Sequence, residues 1–120
     1  MTKNQNLGKD GESIALNYFL KNNYTILEKN WTFGHLEIDI IAQNGSTIVF
    51  CEVKTRTSTQ FATPAEAVNK MKQKNIIRAA NAYISYKKIT LEARFDIITI
   101  IGNAENNQLE HIPGAFSPTW

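Results

Sequence analysis

Several things this sequence lacks narrow its function. It has one cysteine, Cys51, which excludes a disulfide framework and any cysteine-built zinc site within one chain. Its two histidines, His35 and His111, offer no zinc-ligand spacing. No run of about eighteen apolar residues occurs, so no transmembrane helix is expected. The polar stretch Met1–Asp10 lacks the apolar core of a signal peptide. An excess of one charge is missing too: 13 Lys+Arg against 11 Asp+Glu leave a net +2, which neither demands nor excludes nucleic acid. The expectation is a soluble, cytoplasmic protein with no membrane partner.

What is present is globular. With 120 residues, 42% hydrophobic and 20% charged, the chain suits a single domain over 1–120. Residues 10–22 read as a helix with Asp10 as N-cap, and Glu12, Ala15, Leu16, Phe19 and Leu20 share one face. Asn22-Asn23 ends it, and 24–31 reads as a strand. Residues 35–43 and 47–54 are two more strands around Asn44-Gly45, a hairpin signal. A polar loop, 55–62, precedes Thr63-Pro64-Ala65-Glu66, which supplies a cap, a first-turn proline and a capping-box glutamate for a helix to about Tyr86. Residues 94–101 form a β-branched strand and 108–112 an edge-like one, with Pro113, Gly114 and Pro118 keeping the tail irregular. The fold class is α/β, a mixed sheet with helices packed on it.

Period-two alternation places His35, Glu37, Asp39 and Ile41 on one face of the second strand, with Leu36, Ile38, Ile40 and Ala42 on the other. On the third, Ile48, Phe50, Glu52 and Lys54 share a face opposite Val49, Cys51 and Val53. A turn centred on Asn44-Gly45 sets Asp39 against Phe50, Glu37 against Glu52 and His35 against Lys54. Asp39 is then diagonal to Glu52, about 7–8 Å away, close enough for both carboxylates to reach one cation. Alternating charges usually mark only the wet face of a half-exposed sheet. Here the same face carries Ile41, Ile48 and Phe50, so the acids stand in partly apolar surroundings and need a charge partner.

Asp39 and Glu52 supply the hard oxygen ligands that magnesium or manganese prefers, and a metal so held activates water and neutralises charge on a phosphodiester. Lys54, two residues from Glu52 on the same face, is placed to orient the water or hold a phosphate oxygen. Cys51 points the other way and reads as core. Glu12 and Lys72 each sit inside the apolar stripe of a helix. A helix-dipole contact explains the first and a snorkelling stem the second as well as a site does.

Asp39, twelve intervening residues, then Glu52-Val53-Lys54 resembles the PD-(D/E)XK motif of restriction-endonuclease-like nucleases. Further matches run in order along the chain: Gly8-x-x-Gly11-Glu12, Glu37-Ile38-Asp39, Val49 to Arg56, Pro64-x-Glu66-Ala67-Val68, Lys72-Gln73, Arg94-Phe95-Asp96 and Ala115-Phe116. The whole pattern resembles the YraN-like family, similar in fold to archaeal Holliday-junction resolvases. The resemblance implies a restriction-endonuclease-like mixed β-sheet flanked by α-helices and an active site of Glu12, Asp39, Glu52 and Lys54, with Glu12 joining the metal site from the first helix. Leu36 and Ala62 stand where the family usually has glycine.

Lys70, Lys74 and Arg78 form a basic stripe on the second helix, and Arg56 leaves the site beside a polar loop able to bond phosphates. With Lys72 these are the candidate nucleic-acid contacts, though a basic helical stripe is also an ordinary solvated face. Trp31, Phe33 and Phe61 could stack on unpaired bases, although packing is the more frequent use of such residues. The leading expectation is a magnesium- or manganese-dependent DNA endonuclease acting on branched or structured DNA. The alternatives are a non-catalytic nucleic-acid-binding domain of the same fold and a protein-interaction adaptor. A homodimer is left open.

Overall fold

Two glycines turn the chain through the first hairpins of the sheet. Gly34 (φ 61°) and Gly45 (φ 60°) each take the first central position of a two-residue turn, flanked by the pairs Phe33–Leu36 and Asn44–Thr47. That position needs a positive φ, which glycine adopts without strain. The computed structural model describes residues 7–56, 68–103 and 105–118. Helix α1 (Leu7–Lys21) leads into strands β1 (Thr25–Phe33), β2 (Leu36–Asn44) and β3 (Thr47–Arg56). Helix α2 (Lys70–Lys87) follows, then β4 (Glu92–Gly102) and β5 (Asn107–Phe116).

The strands form one five-stranded sheet in sequence order. Only β3 and β4 run parallel, and α2 is the crossover such a pair requires. Each face carries its own core. Ile76, Ala79, Ala80 and Tyr83 of α2 pack with Ile41, Ile48, Phe50, Phe95 and Ile97 on one side. Ala15 and Phe19 of α1 pack with Ile40, Ala42, Val49, Cys51, Ile98 and Ile100 on the other. Central strands buried on both faces read as nearly continuous apolar runs, as Ile97–Ile101 does apart from Thr99. The architecture is the α/β mixed sheet flanked by helices that the sequence predicts, and it is compatible with a restriction-endonuclease-like fold.

Three local expectations are corrected. The β2–β3 turn is Gly45-Ser46, one residue later than Asn44-Gly45, so Phe50 pairs with Ile41 and not with Asp39. Strict alternation also fails at Asp39: Leu36 and Ile38 pack on the α2 side, whereas Ile40 and Ala42 pack on the α1 side. Finally, Pro113 and Gly114 lie inside β5, where an edge position tolerates the missing proline N–H.

Helix ends follow local chemistry. At α1, Asn23 (φ 68°) takes the left-handed residue after Asn22, and Tyr24 N–H returns to the Phe19 carbonyl at 3.0 Å. Leu20, counted in the α1 stripe, is 55% exposed and lies off it. Helix α2 runs from Lys70 with Asn69 as its cap, so the stretch ending near Tyr86 begins there; the expected cap at Thr63–Glu66, with Phe61 and Ala62, lies outside the described residues.

Candidate metal and catalytic site

The β2–β3 ladder ends at Ile40–Cys51. Beyond it the Val53 N–H is taken by the Asp39 side chain, Oδ2 accepting at 2.8 Å. A carboxylate thus replaces the backbone acceptor where the strands part. Asp39 is thereby held beside Glu52 through the Val53 N–H, not by the ladder pairing that the expected turn implied.

Glu52 is only 5% exposed. Its Oε1 is buried with no hydrogen-bond donor, while Oε2 faces Lys72 Nζ at 3.7 Å and Lys54 Nζ at 4.0 Å. Burial, then the Asp39 charge, push its pKa up to about 7 against the pull of the two lysines. Asp39 is raised as well, chiefly by burial and further by Glu12 and Glu37, with the Val53 N–H opposing. Two buried carboxylates that raise one another, one with an orphaned oxygen, form a donor set short of positive charge. Hard oxygens in that state fit a magnesium- or manganese-sized cation.

Glu12 arrives from the other layer. Gly11 lets α1 approach β3 so closely that a Cβ there would stand 2.4 Å from Thr55 Cγ2. The next residue, Glu12, accepts from Asn30 Nδ2 at 3.1 Å, and Asn30 holds a left-handed φ of 53° within β1. Glu12 acts on Asp39 through its charge. Among the described residues no three acidic, histidine or cysteine side chains converge, so Asp39 and Glu52 meet as a pair with Glu12 set apart on Asn30.

The model of the uncharacterised protein family UPF0102 matches residues 11–100. The chain belongs to this family, the YraN family. It is 45% identical over 118 residues to a UPF0102 protein of Bacteroides thetaiotaomicron, 98% of either chain. A UPF0102 protein of Geobacter metallireducens is 45% identical over 114 residues, covering 94% of this chain and 93% of its own. One from Flavobacterium johnsoniae is 42% identical over 120 residues, covering 97% and 98%.

In this UPF0102 chain only Lys72 of the remaining predicted contacts is seen to reach the carboxylates. Lys70, Lys74 and Arg78 are exposed along α2, Lys72 reaches inward to Glu52, and Arg56 ends β3 with its guanidinium 3.5 Å from the Thr55 carbonyl. Leu36, at a usual glycine position of the YraN-like pattern, buries its side chain in the α2-side core. Cys51 is fully buried, and burial pushes its thiol well up, which suits a core residue and not a nucleophile.

A second polar cluster was not anticipated as one. Asp96 is fully buried and receives Arg94 Nε at 2.9 Å, Arg94 Nη2 at 2.8 Å and Gly114 N–H at 3.0 Å, with His111 Nε2 at 2.7 Å. Burial pushes its carboxyl up, but His111, Arg94 and Gly114 outweigh it and hold it below the ordinary range. Tyr24 and Tyr18 complete the network through Arg94 and His111. The Arg94-x-Asp96 spacing on one strand face was the visible signal; His111 comes from another strand and was not.

Proposed function

We propose that this protein is a magnesium- or manganese-dependent DNA endonuclease that hydrolyses phosphodiester bonds in branched or structured DNA. One observation carries the reading: the buried Asp39–Glu52 pair, with an orphaned Glu52 oxygen and two lysines within 4.0 Å of the other. Asp39 and Glu52 would hold the metal, with the charge of Glu12 nearby adding to their pull on a cation. The bound metal supplies charge neutralisation at the phosphate and a more acidic water. Lys54 orients the attacking water and the phosphate oxygen. The water oxygen bonds to phosphorus, its proton leaves to solvent, and the leaving oxygen departs as its bond to phosphorus breaks. Arg56, Lys70, Lys72, Lys74 and Arg78 bind flanking phosphates, which position the substrate without reading its bases.

The test is metal-dependent cleavage of linear, flapped and four-way-junction DNAs, with Glu52→Gln and Asp39→Asn as controls. Cleavage by the wild type that both variants lose, with the branched substrates preferred, supports the reading. Cleavage that persists in Glu52→Gln overturns it. Salt-sensitive binding without cleavage on any substrate or metal makes the protein a binding module.

A further inference from the structure

Lys54 and Lys72 meet the same oxygen of Glu52 but reach it from different parts of the fold. Lys54 lies two residues along the same strand, so it travels with Glu52. Lys72 comes from α2 in the opposite layer. Its backbone is fixed, because Asn69 Oδ1 accepts from Lys72 N–H at 2.9 Å and Gln73 Nε2 donates to the Val68 carbonyl at 2.9 Å. Its ammonium is not so fixed: the side chain is 40% exposed and ends a flexible four-carbon stem. The ammonium can therefore leave Glu52 without disturbing the packing of α2. Its charge also acts on Asp39, lowering the pKa of that carboxyl against the burial that raises it.

An ammonium on one oxygen of a carboxylate opposes a divalent cation on the other by like charge. We infer that Lys72 is a positioning residue that competes with the divalent cation for Glu52 and, once displaced, binds a phosphate of the nucleic acid. Metal and nucleic acid then bind with positive coupling, because the metal releases the lysine that the phosphate needs. The inference rests on the metal-dependent reading above and assigns Lys72 a role distinct from that of the exposed stripe of Lys70, Lys74 and Arg78.

Two measurements on chelator-stripped full-length protein test it. Manganese affinity, read from the signal of free Mn2+, is expected to tighten about three- to tenfold in Lys72→Met, the size of one half-exposed charge pair. Lys72→Arg, which keeps the charge, is expected to bind as the wild type does. In the second measurement, Lys72→Met weakens binding of a labelled four-way-junction DNA more in calcium than in chelator, because only the cation frees the lysine. Manganese binding that is unchanged or weaker in Lys72→Met, while Glu52→Gln loses it, overturns the inference and leaves the metal site standing. Equal losses of DNA affinity in calcium and chelator overturn it as well. Wild-type manganese affinity in Glu52→Gln removes the metal reading and the inference together. Should Lys72→Met unfold, Lys72→Gln gives the same readings from a polar side chain.

Discussion

At the scale of single residues, Glu52 sets the protein's response to pH. Its carboxyl, ordinarily at 4.5, is raised to about 7 by burial and then by Asp39. Between those values the native state keeps a proton that the unfolded chain has released, so stability falls as pH rises through that window. Above it the ionised, buried carboxylate carries its full penalty. Glu52→Gln is therefore expected to stabilise the chelated protein at pH 8 by about 2 kcal/mol. The gain should shrink to nothing below about pH 4.5. Urea unfolding across pH reads it, and a variant no more stable than wild type at pH 8 contradicts it. Asp96 is the contrasting case. It is as deeply buried, but Arg94, His111 and Gly114 meet its oxygens, so its charge is compensated within the protein. The uncompensated acid marks the site and the compensated one holds β4 to β5.

At the scale of elements, the distance between α1 and β3 brings Glu12 toward Asp39. A Cβ at position 11 would press on Thr55 Cγ2, so Gly11→Ala sets helix propensity, worth about 1 kcal/mol in alanine's favour, against a steric clash. Overpacking is expected to win, with a net loss of about 1–2 kcal/mol. Adding Thr55→Ser, which removes the offending methyl, should restore most of it. A thermal double-mutant cycle showing additive effects would place the helix contact elsewhere. The two carboxylates show how elements build sites. Asp39 takes the Val53 N–H where β2 and β3 part, and Asp96 takes the Gly114 N–H at the irregularity between β4 and β5. In both places an aspartate side chain stands in for a missing ladder bond. In this way each acid is held rigidly without a dedicated loop.

At the scale of the whole molecule, a net charge of +2 hides a division. Acids gather at the opening of the sheet, at Glu12, Glu37, Asp39 and Glu52, while Lys70, Lys74 and Arg78 line the exposed side of α2. If the stripe contacts DNA, each basic residue removed lowers the slope of log affinity against log salt by about 0.9 for duplex. Lys70→Ala with Lys74→Ala should thus lower it by about 1.8, read by binding titrations at several salt concentrations. An unchanged slope makes the stripe a solvated face. No helix among the described residues is long and apolar enough to cross a membrane.

Much of this was legible because it is local. Side-chain faces on β3 follow from period two, which sets Glu52 and Lys54 opposite Val49 and Cys51. The apolar stripe of α2, with Lys72 inside it, follows from period 3.6, and burial of Ile76, Ala79 and Tyr83 matches it. The register was not legible, because Asn44-Gly45-Ser46 admits two turns. Glycine can serve as either central residue, and only pairing along the whole hairpin chooses between them. The break in alternation at Asp39 was hidden for a similar reason: it arises from a side-chain bond to another strand.

The sequence by itself determined which residue types are present and, where alternation is unbroken, which side of a strand or helix they occupy, since chain stereochemistry dictates that within a few residues. It also carried the ordered pattern that marks the UPF0102 family. Only the tertiary structure decided that Asp39 takes the Val53 N–H beside Glu52, that Lys72 crosses from α2 to Glu52, and that Glu12 rests on Asn30. Those contacts join residues far apart in the chain, and their geometry depends on the packing of two helices against one sheet. Charge compensation belongs to that level as well: Asp96 and Glu52 are both buried acids, and only their neighbours distinguish a structural anchor from a candidate metal site.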